Sequence, residues 1–115
     1  MEHRWSKRFD INVDVSLYHR GSSVIRCTTD NAGTAGIFVD TGQNTLAKNT
    51  LLEVEFEDNA NLHDREPRVF RLRAMVAHAS NKGLGLMFLK SEAETILAWR
   101  QVLKGSHEQL YGYWA

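Results

Sequence analysis

The sequence has one cysteine, one proline and no long hydrophobic run among its 115 residues. Because Cys27 has no second cysteine to pair with, a disulfide framework and a cysteine-based zinc site are excluded, and we expect a plain buried or half-buried thiol. No segment approaches the roughly 20 apolar residues that a membrane span requires, and residues 1–10 lack the apolar region of a secretory signal. We therefore expect a soluble, cytoplasmic protein that does not insert into a membrane.

An excess of charge is also missing, since 14 Lys and Arg residues balance 14 Asp and Glu residues. This balance disfavours a general binder of nucleic acid polymers, which needs a net positive surface. The charge is unevenly distributed, however, because His3, Arg4, Lys7 and Arg8 form a short basic arm at the start of the chain. Such a local concentration favours binding of a small anion.

Enzyme and metal signatures are absent from the sequence. It contains no GxxxxGK[ST] phosphate loop, no GxSxG elbow and no HExxH motif. The histidines at positions 3, 19, 63, 78 and 107 lack the spacing of metal ligands. We therefore expect no catalytic residues, no metal and no cofactor.

Alternation of hydrophobic and polar residues predicts strands over residues 10–18, 23–29, 51–56, 70–78 and 84–89, and residues 36–39 form a further short strand. Turn residues join the first two runs and the last two runs into hairpins. Residues 29–36 combine two glycines with Asp and Asn, which predicts a loop.

The spacing of hydrophobic residues changes after the last strand, from every second residue to a helical spacing. Residues 91–94 match a capping box, Ile96, Leu97, Trp99 and Leu103 recur at helical spacing, and Gly105 predicts the end of the helix. About six strands and one helix indicate an antiparallel barrel or sandwich covered by the helix. We divide the chain into a basic arm (1–9), a strand-rich domain with its helix (10–105) and an aromatic tail (106–115).

Two segments could together bind a nucleotide: the arm, with the spacing RxxxR, and the glycine-rich run NAGTAG at 31–36. Guanidinium groups bind phosphate bidentately and also contact guanine, and glycine lets main-chain N–H groups approach a ligand closely. Each segment alone is a weak signal, because a basic terminus is more often simply solvated and a glycine run is often only a tight turn.

The order of these segments resembles the PilZ domain family over residues 4–103. RWSKR precedes the first hairpin, NAGTAG follows it and runs into GIFV, and GLGLMF precedes the C-terminal helix. The family combines RxxxR with [D/N]xSxxG. The resemblance implies a six-stranded antiparallel β-barrel of the split-barrel type with one C-terminal helix, and cyclic di-GMP bound between the arm and the outer surface of the barrel.

The family motifs can be carried over by position. Arg4 and Arg8 match the arginines that grip the phosphates and guanine faces, Asn31 matches the residue that bonds a guanine edge, and Gly36 matches the final glycine. Gly33 departs from the motif, because the family usually has serine there. Weaker candidates for contact with the ligand are His3, Trp5, Lys7, Asp30, Met75 and His78, of which the last two lie on the long strand, where a guanine could cover them.

The resemblance implies a receptor and adaptor rather than an enzyme. Our hypothesis is that the arm closes over cyclic di-GMP and creates a surface for a protein effector. The alternative is a PilZ-fold interaction module that binds no nucleotide. For the aromatic run at 110–114, packing on the barrel and self-association or partner binding both remain open.

Overall fold

The computed structural model describes residues 8–42, 46–58 and 67–111, the last four of these by their backbone alone. Over these residues seven strands precede one helix. In chain order the elements are β1 (Arg8–Phe9), β2 (Asp14–His19), β3 (Ser22–Gly33), β4 (Gly36–Val39), β5 (Leu51–Asp58), β6 (Arg68–Ser80), β7 (Gly83–Phe88) and α1 (Ala93–Tyr111).

Six of the strands form a closed barrel. Antiparallel pairing runs from β2 to β3, β4, β7, β6 and β5, and β5 pairs with β2 to close the ring. The short β1 adds to the far end of β3. The predicted six-stranded antiparallel barrel with one C-terminal helix is therefore confirmed.

Strand β3 extends further than predicted, so the loop prediction for residues 29–36 is wrong up to Gly33. Its first half pairs with β2, and its second half pairs with β4 and β1. The register shifts between Thr29 and Asn31, which places Asp30 in a β-bulge. The bulge accommodates the polar residues that suggested a loop. It also bends β3, so that the strand pairs with β2 in its first half and with β4 in its second half.

Thr29 is fully buried and joins β3 to the segment ahead of β2. Its hydroxyl Oγ1 donates a hydrogen bond to the carbonyl of Ile11 (2.8 Å) and accepts one from the backbone N–H of Val13 (2.9 Å). These bonds satisfy backbone groups that have no ladder partner in this irregular segment. The side chain therefore replaces part of a strand pairing.

The Thr29→Val variant tests this role. Valine keeps the shape and the β-propensity but leaves two buried backbone groups unpaired, so we expect the free energy of unfolding in urea to fall by about 1–3 kcal/mol. The matched control is Thr28→Val, because the Thr28 hydroxyl makes an exposed bond to Asp14. Equal stability of the two variants would contradict the proposed role of Thr29.

The core lies inside the barrel, and α1 closes one end. Alternating residues of every barrel strand point inward, and Ala98, Trp99 and Leu103 of α1 complete the same cluster. Cys27 is half-buried, as predicted, and burial raises the pKa of its thiol to about 11. The thiol therefore stays protonated and poorly nucleophilic near neutral pH.

The ends of α1 differ from the prediction. The helix continues through Gly105 to Tyr111, so the predicted end at Gly105 is wrong. His107, only 9% exposed, packs its ring edge-on against Phe9 at 4.6 Å, and this tertiary contact outweighs the low helix propensity of glycine. The capping box is not formed either. The Ser91 hydroxyl donates to the carbonyl of Leu89, and Glu94 pairs with Arg68 of β6.

Candidate functional site

The outer face of the barrel carries two rows of residues across β3, β4, β7, β6 and β5. Because cross-strand partners point to the same face of a sheet, the register assigns each row directly. On β4, Ile37 and Val39 are buried in the core, so Gly36 and Phe38 face outward. One row is Gly36, Met87, Met75 and Leu51, and the other is Asn31, Phe38, Gly85 and His78.

Arg8 lies at one end of these rows. In the β1 pairing, Arg8 stands opposite Gly33 and Phe9 opposite the core residue Ala32. A Cβ added at Gly36 would lie 3.3 Å from Nη2 of Arg8 and 2.3 Å from the carbonyl oxygen of Leu86. The guanidinium group therefore lies directly over the Gly36 backbone, where a larger residue would displace it.

Asn31 supplies a hydrogen-bond acceptor beside this group. Its side chain is half-buried, and its Oδ1 atom is buried and accepts no hydrogen bond within the part of the chain that the structure describes. A desolvated acceptor left without a partner costs about 1–3 kcal/mol. The position thus favours a ligand that brings a donor.

Gly33 connects the outer face to the helix. It is buried, and its carbonyl accepts a hydrogen bond of 2.9 Å from Nε1 of Trp99. Ala32, its neighbour, points into the core, so a side chain at position 33 would face outward, on the side of Arg8 and Asn31. A serine hydroxyl at this position would therefore be directed toward the same surface.

The structure brings together several residues that the sequence proposed. Arg8, Asn31, Gly33 and Gly36 meet at the junction of β1, β3 and β4. Met75 and His78 lie on the same outer face, and His78 packs closely over Gly85, whose added Cβ would be 3.3 Å from the Cβ of His78. Asp30 is exposed in the bulge of β3. Four further predictions, His3, Arg4, Trp5 and Lys7, lie outside the described residues.

Phe38 and Met87 belong to the same surface but were not predicted from the sequence. Both are half-buried on the outer face, next to Asn31 and Gly36 respectively. The sequence did contain a signal for their outward orientation, because Phe38 lies between the core residues Ile37 and Val39, and Met87 follows the core residue Leu86. Placing them opposite the motif residues required the register, and the bulge at Asp30 sets that register.

Comparisons with known proteins agree with the barrel fold. The PilZ domain family model matches residues 2–104, so the chain belongs to the PilZ domain family. PilZ domains are receptor and adaptor modules for cyclic di-GMP that interact with protein partners and are generally not enzymes. No curated protein sequence matches the chain.

Three solved structures show the same fold at low sequence identity. The PilZ domain of CeSA from a cellulose-synthesizing bacterium is 14% identical with a TM-score of 0.68, over 87% of this chain and 97% of that one. The Bacillus subtilis inhibitor of motility MotI/DgrA is 16% identical with a TM-score of 0.62, over 90% of this chain and 53% of that one. An uncharacterized Legionella protein is 14% identical with a TM-score of 0.52, over 90% and 97%.

Two features are absent from the described residues. They contain no helix long and apolar enough to cross a bilayer. They also contain no group of three or more His, Cys, Asp or Glu side chains arranged to hold a metal ion. Within the two rows defined above, Asn31 and His78 carry polar side chains, and Arg8 lies beside Gly36 at one end.

Proposed function

We propose that this chain is a receptor for cyclic di-GMP, held on the outer barrel face where β1 meets β3 and β4. One observation supports it most directly. The Arg8 guanidinium lies over Gly36, on the same face as Asn31, whose buried Oδ1 accepts no hydrogen bond within the described residues. A cation suited to phosphate and an acceptor suited to guanine thus occupy one surface.

Each residue would meet a different part of the nucleotide. Arg8 can donate two parallel hydrogen bonds to a phosphate, or to O6 and N7 of guanine, and Arg4 would contribute a second guanidinium. Asn31 Oδ1 would accept from the N1–H or the 2-amino group of guanine. Met75 and Met87 offer flexible, polarisable side chains for a base to cover. Because Gly36 has no side chain, the Arg8 guanidinium can lie close to the backbone of β4.

The output would be a change at the arm. Residues 1–7 would close over the bound nucleotide, because the ligand's two phosphates offset the repulsion among the arm's cations. The closed arm and the adjoining barrel would then present a surface to a protein effector. The chain itself would perform no chemistry on the nucleotide.

Isothermal titration calorimetry of the full chain with cyclic di-GMP is the direct test. We expect saturable heat with cyclic di-GMP and none with cyclic di-AMP, because adenine lacks the two donors that Asn31 would bind. Chromatography after incubation should recover the nucleotide unchanged. Absence of heat with cyclic di-GMP would contradict the assignment of the ligand.

Gly33→Ser should tighten binding. The added hydroxyl would face the ligand and supply one hydrogen bond, so we expect the dissociation constant to fall by a factor of about 2–10. The control is Gly33→Ala, which adds a Cβ without a donor and should give no such gain. An affinity equal to that of the unmodified chain would mean that water or a main-chain group already replaces the hydroxyl.

Gly33 also favours the alternative function, a PilZ-fold interaction module without a nucleotide, since it removes one motif contact. Under that alternative, a partner captured from the native host would be recovered equally with and without cyclic di-GMP. Under the receptor proposal, recovery would depend on the nucleotide.

A further inference from the structure

A second surface lies between Thr34, which directly follows Gly33, and the exposed side of α1. It is a cleft of about 370 Å³, which we call the α1 cleft; it is lined by Thr34, Leu97, Arg100, Gln101, Leu103 and Lys104. Leu97, Arg100, Gln101 and Lys104 follow the i, i+3, i+4, i+7 spacing of one helix face. The cleft is therefore a continuous strip along α1.

The α1 cleft combines apolar and positively charged groups. Leu97 is 58% exposed, although Trp99 and Leu103 of the same helix belong to the core. Arg100 and Lys104 are exposed, and neither makes an ion pair with any residue that the structure describes. By contrast, Arg68 pairs with Glu94 at the start of the same helix. Two cations thus border the exposed apolar side chain of Leu97.

We infer that the α1 cleft docks an acidic peptide with an apolar anchor, supplied by the effector protein. The anchor would cover Leu97, and the acidic side chains would pair with Arg100 and Lys104. The chain's own arm is a poorer occupant, since Arg4 and Lys7 would be repelled by the same two cations. This inference rests on the adaptor role proposed above, and it identifies the chemistry of the partner.

The α1 cleft is connected through Thr34 and Gly33 to the surface proposed above to bind the nucleotide. Thr34 lines the cleft and directly follows Gly33, which pairs with Arg8 on β1 and accepts the Trp99 hydrogen bond from α1. A ligand that fixes Arg8 therefore also constrains the turn at the mouth of the cleft. Because such coupling is reciprocal, nucleotide and peptide should change each other's affinity by the same factor.

Peptide display on the full chain tests the inference and needs no purified effector. Random peptides of about 12 residues would be selected on the wild type, in parallel with and without cyclic di-GMP, and depleted on the variant Leu97→Ser/Arg100→Glu/Lys104→Glu. We expect enriched sequences with at least two acidic residues around an aromatic or aliphatic anchor. Failure to enrich discriminating peptides, or enrichment of neutral or basic ones, would overturn the inference.

The best peptide, labelled with fluorescein, then gives affinities by anisotropy. We expect Leu97→Ser and Arg100→Glu/Lys104→Glu each to weaken binding about tenfold or more, and the charge-reversal variant to bind a peptide whose acids are replaced by lysine. The controls are Val69→Ser and Arg26→Glu/Lys48→Glu, which alter exposed residues elsewhere and should bind normally. Equal loss in these controls would overturn the inference.

Three further outcomes complete the test. The first two distinguish the possible occupants of the α1 cleft, and the third distinguishes the docking inference from the proposed receptor function. If Trp5→Ala strengthens peptide binding severalfold, the arm occupies the cleft and the inference is wrong. A dimer of the wild type that Leu97→Ser dissociates would likewise assign the cleft to a second copy. If acidic peptides bind the cleft but calorimetry detects no nucleotide, the docking surface is supported and the receptor function alone fails.

Discussion

Arg8→Ala is expected to lower the affinity for cyclic di-GMP by about 100-fold or more. The guanidinium can donate two charge-assisted hydrogen bonds, each worth about 1.5–3 kcal/mol, and its loss would leave the ligand's phosphate or guanine edge without these partners. Calorimetry gives the dissociation constant directly. Arg8→Lys keeps the charge but loses the planar fork, so we expect it to recover only part of the affinity.

The matched control for this prediction is Arg26→Ala. Arg26 lies on β3, like Asn31, but in the half of the strand that pairs with β2, away from Gly36. It is exposed, and its removal should leave the affinity within about twofold, as expected for a distant surface charge. If Arg26→Ala and Arg8→Ala weaken binding equally, the nucleotide responds to overall charge rather than to the site described above.

Trp99→Ala is expected to lower the free energy of unfolding by about 3–5 kcal/mol, the range for deleting a large buried aromatic side chain. Trp99 is 1% exposed and packs edge-on against Phe56 (5.0 Å) and Phe88 (5.4 Å). It also ties α1 to the carbonyl of Gly33. Domains are typically stable by about 5–15 kcal/mol, so this loss is a large fraction of the total, and urea unfolding would measure it.

Trp99→Phe separates packing from the hydrogen bond. Phenylalanine keeps much of the aromatic contact but leaves the buried Gly33 carbonyl without its donor, so we expect a loss of about 1–3 kcal/mol. Leu97→Ala on the exposed side of the same helix should change stability by less than about 0.5 kcal/mol. A Trp99→Phe variant as stable as the wild type would show that the bond to Gly33 contributes nothing.

Much of the barrel could be predicted because its strands are half-buried. The alternation of Leu52, Val54 and Phe56 with glutamates identifies β5, and similar runs identify β2, β6 and β7. The second half of β3 could not be predicted, since its polar and glycine residues are held by the bulge at Asp30 and by pairing with two neighbours. Neither the bulge nor the pairing with two neighbouring strands can be predicted from the local sequence.

The motif residues of the candidate site could be identified from sequence, but their surroundings could not. RxxxR and NAGTAG each have recognisable spacing, and the structure places Arg8 against Gly36 as a contact between distant segments. Phe38 and Met87 join them only through strand register. The extension of α1 past Gly105 depends on the packing of His107 against Phe9, which no local pattern reveals.

The described residues of β1 lie outside the closed ring of six strands. This strand consists of Arg8 and Phe9, which pair with β3, and the ring contact between Phe9 and His107 attaches it to α1. Separation of Arg8 and Phe9 from β3 would leave all six strands of the closed ring paired. Local opening of this kind costs far less than global unfolding. Arg8 and Phe9 can therefore move relative to Gly33 and Gly36 while the barrel stays closed.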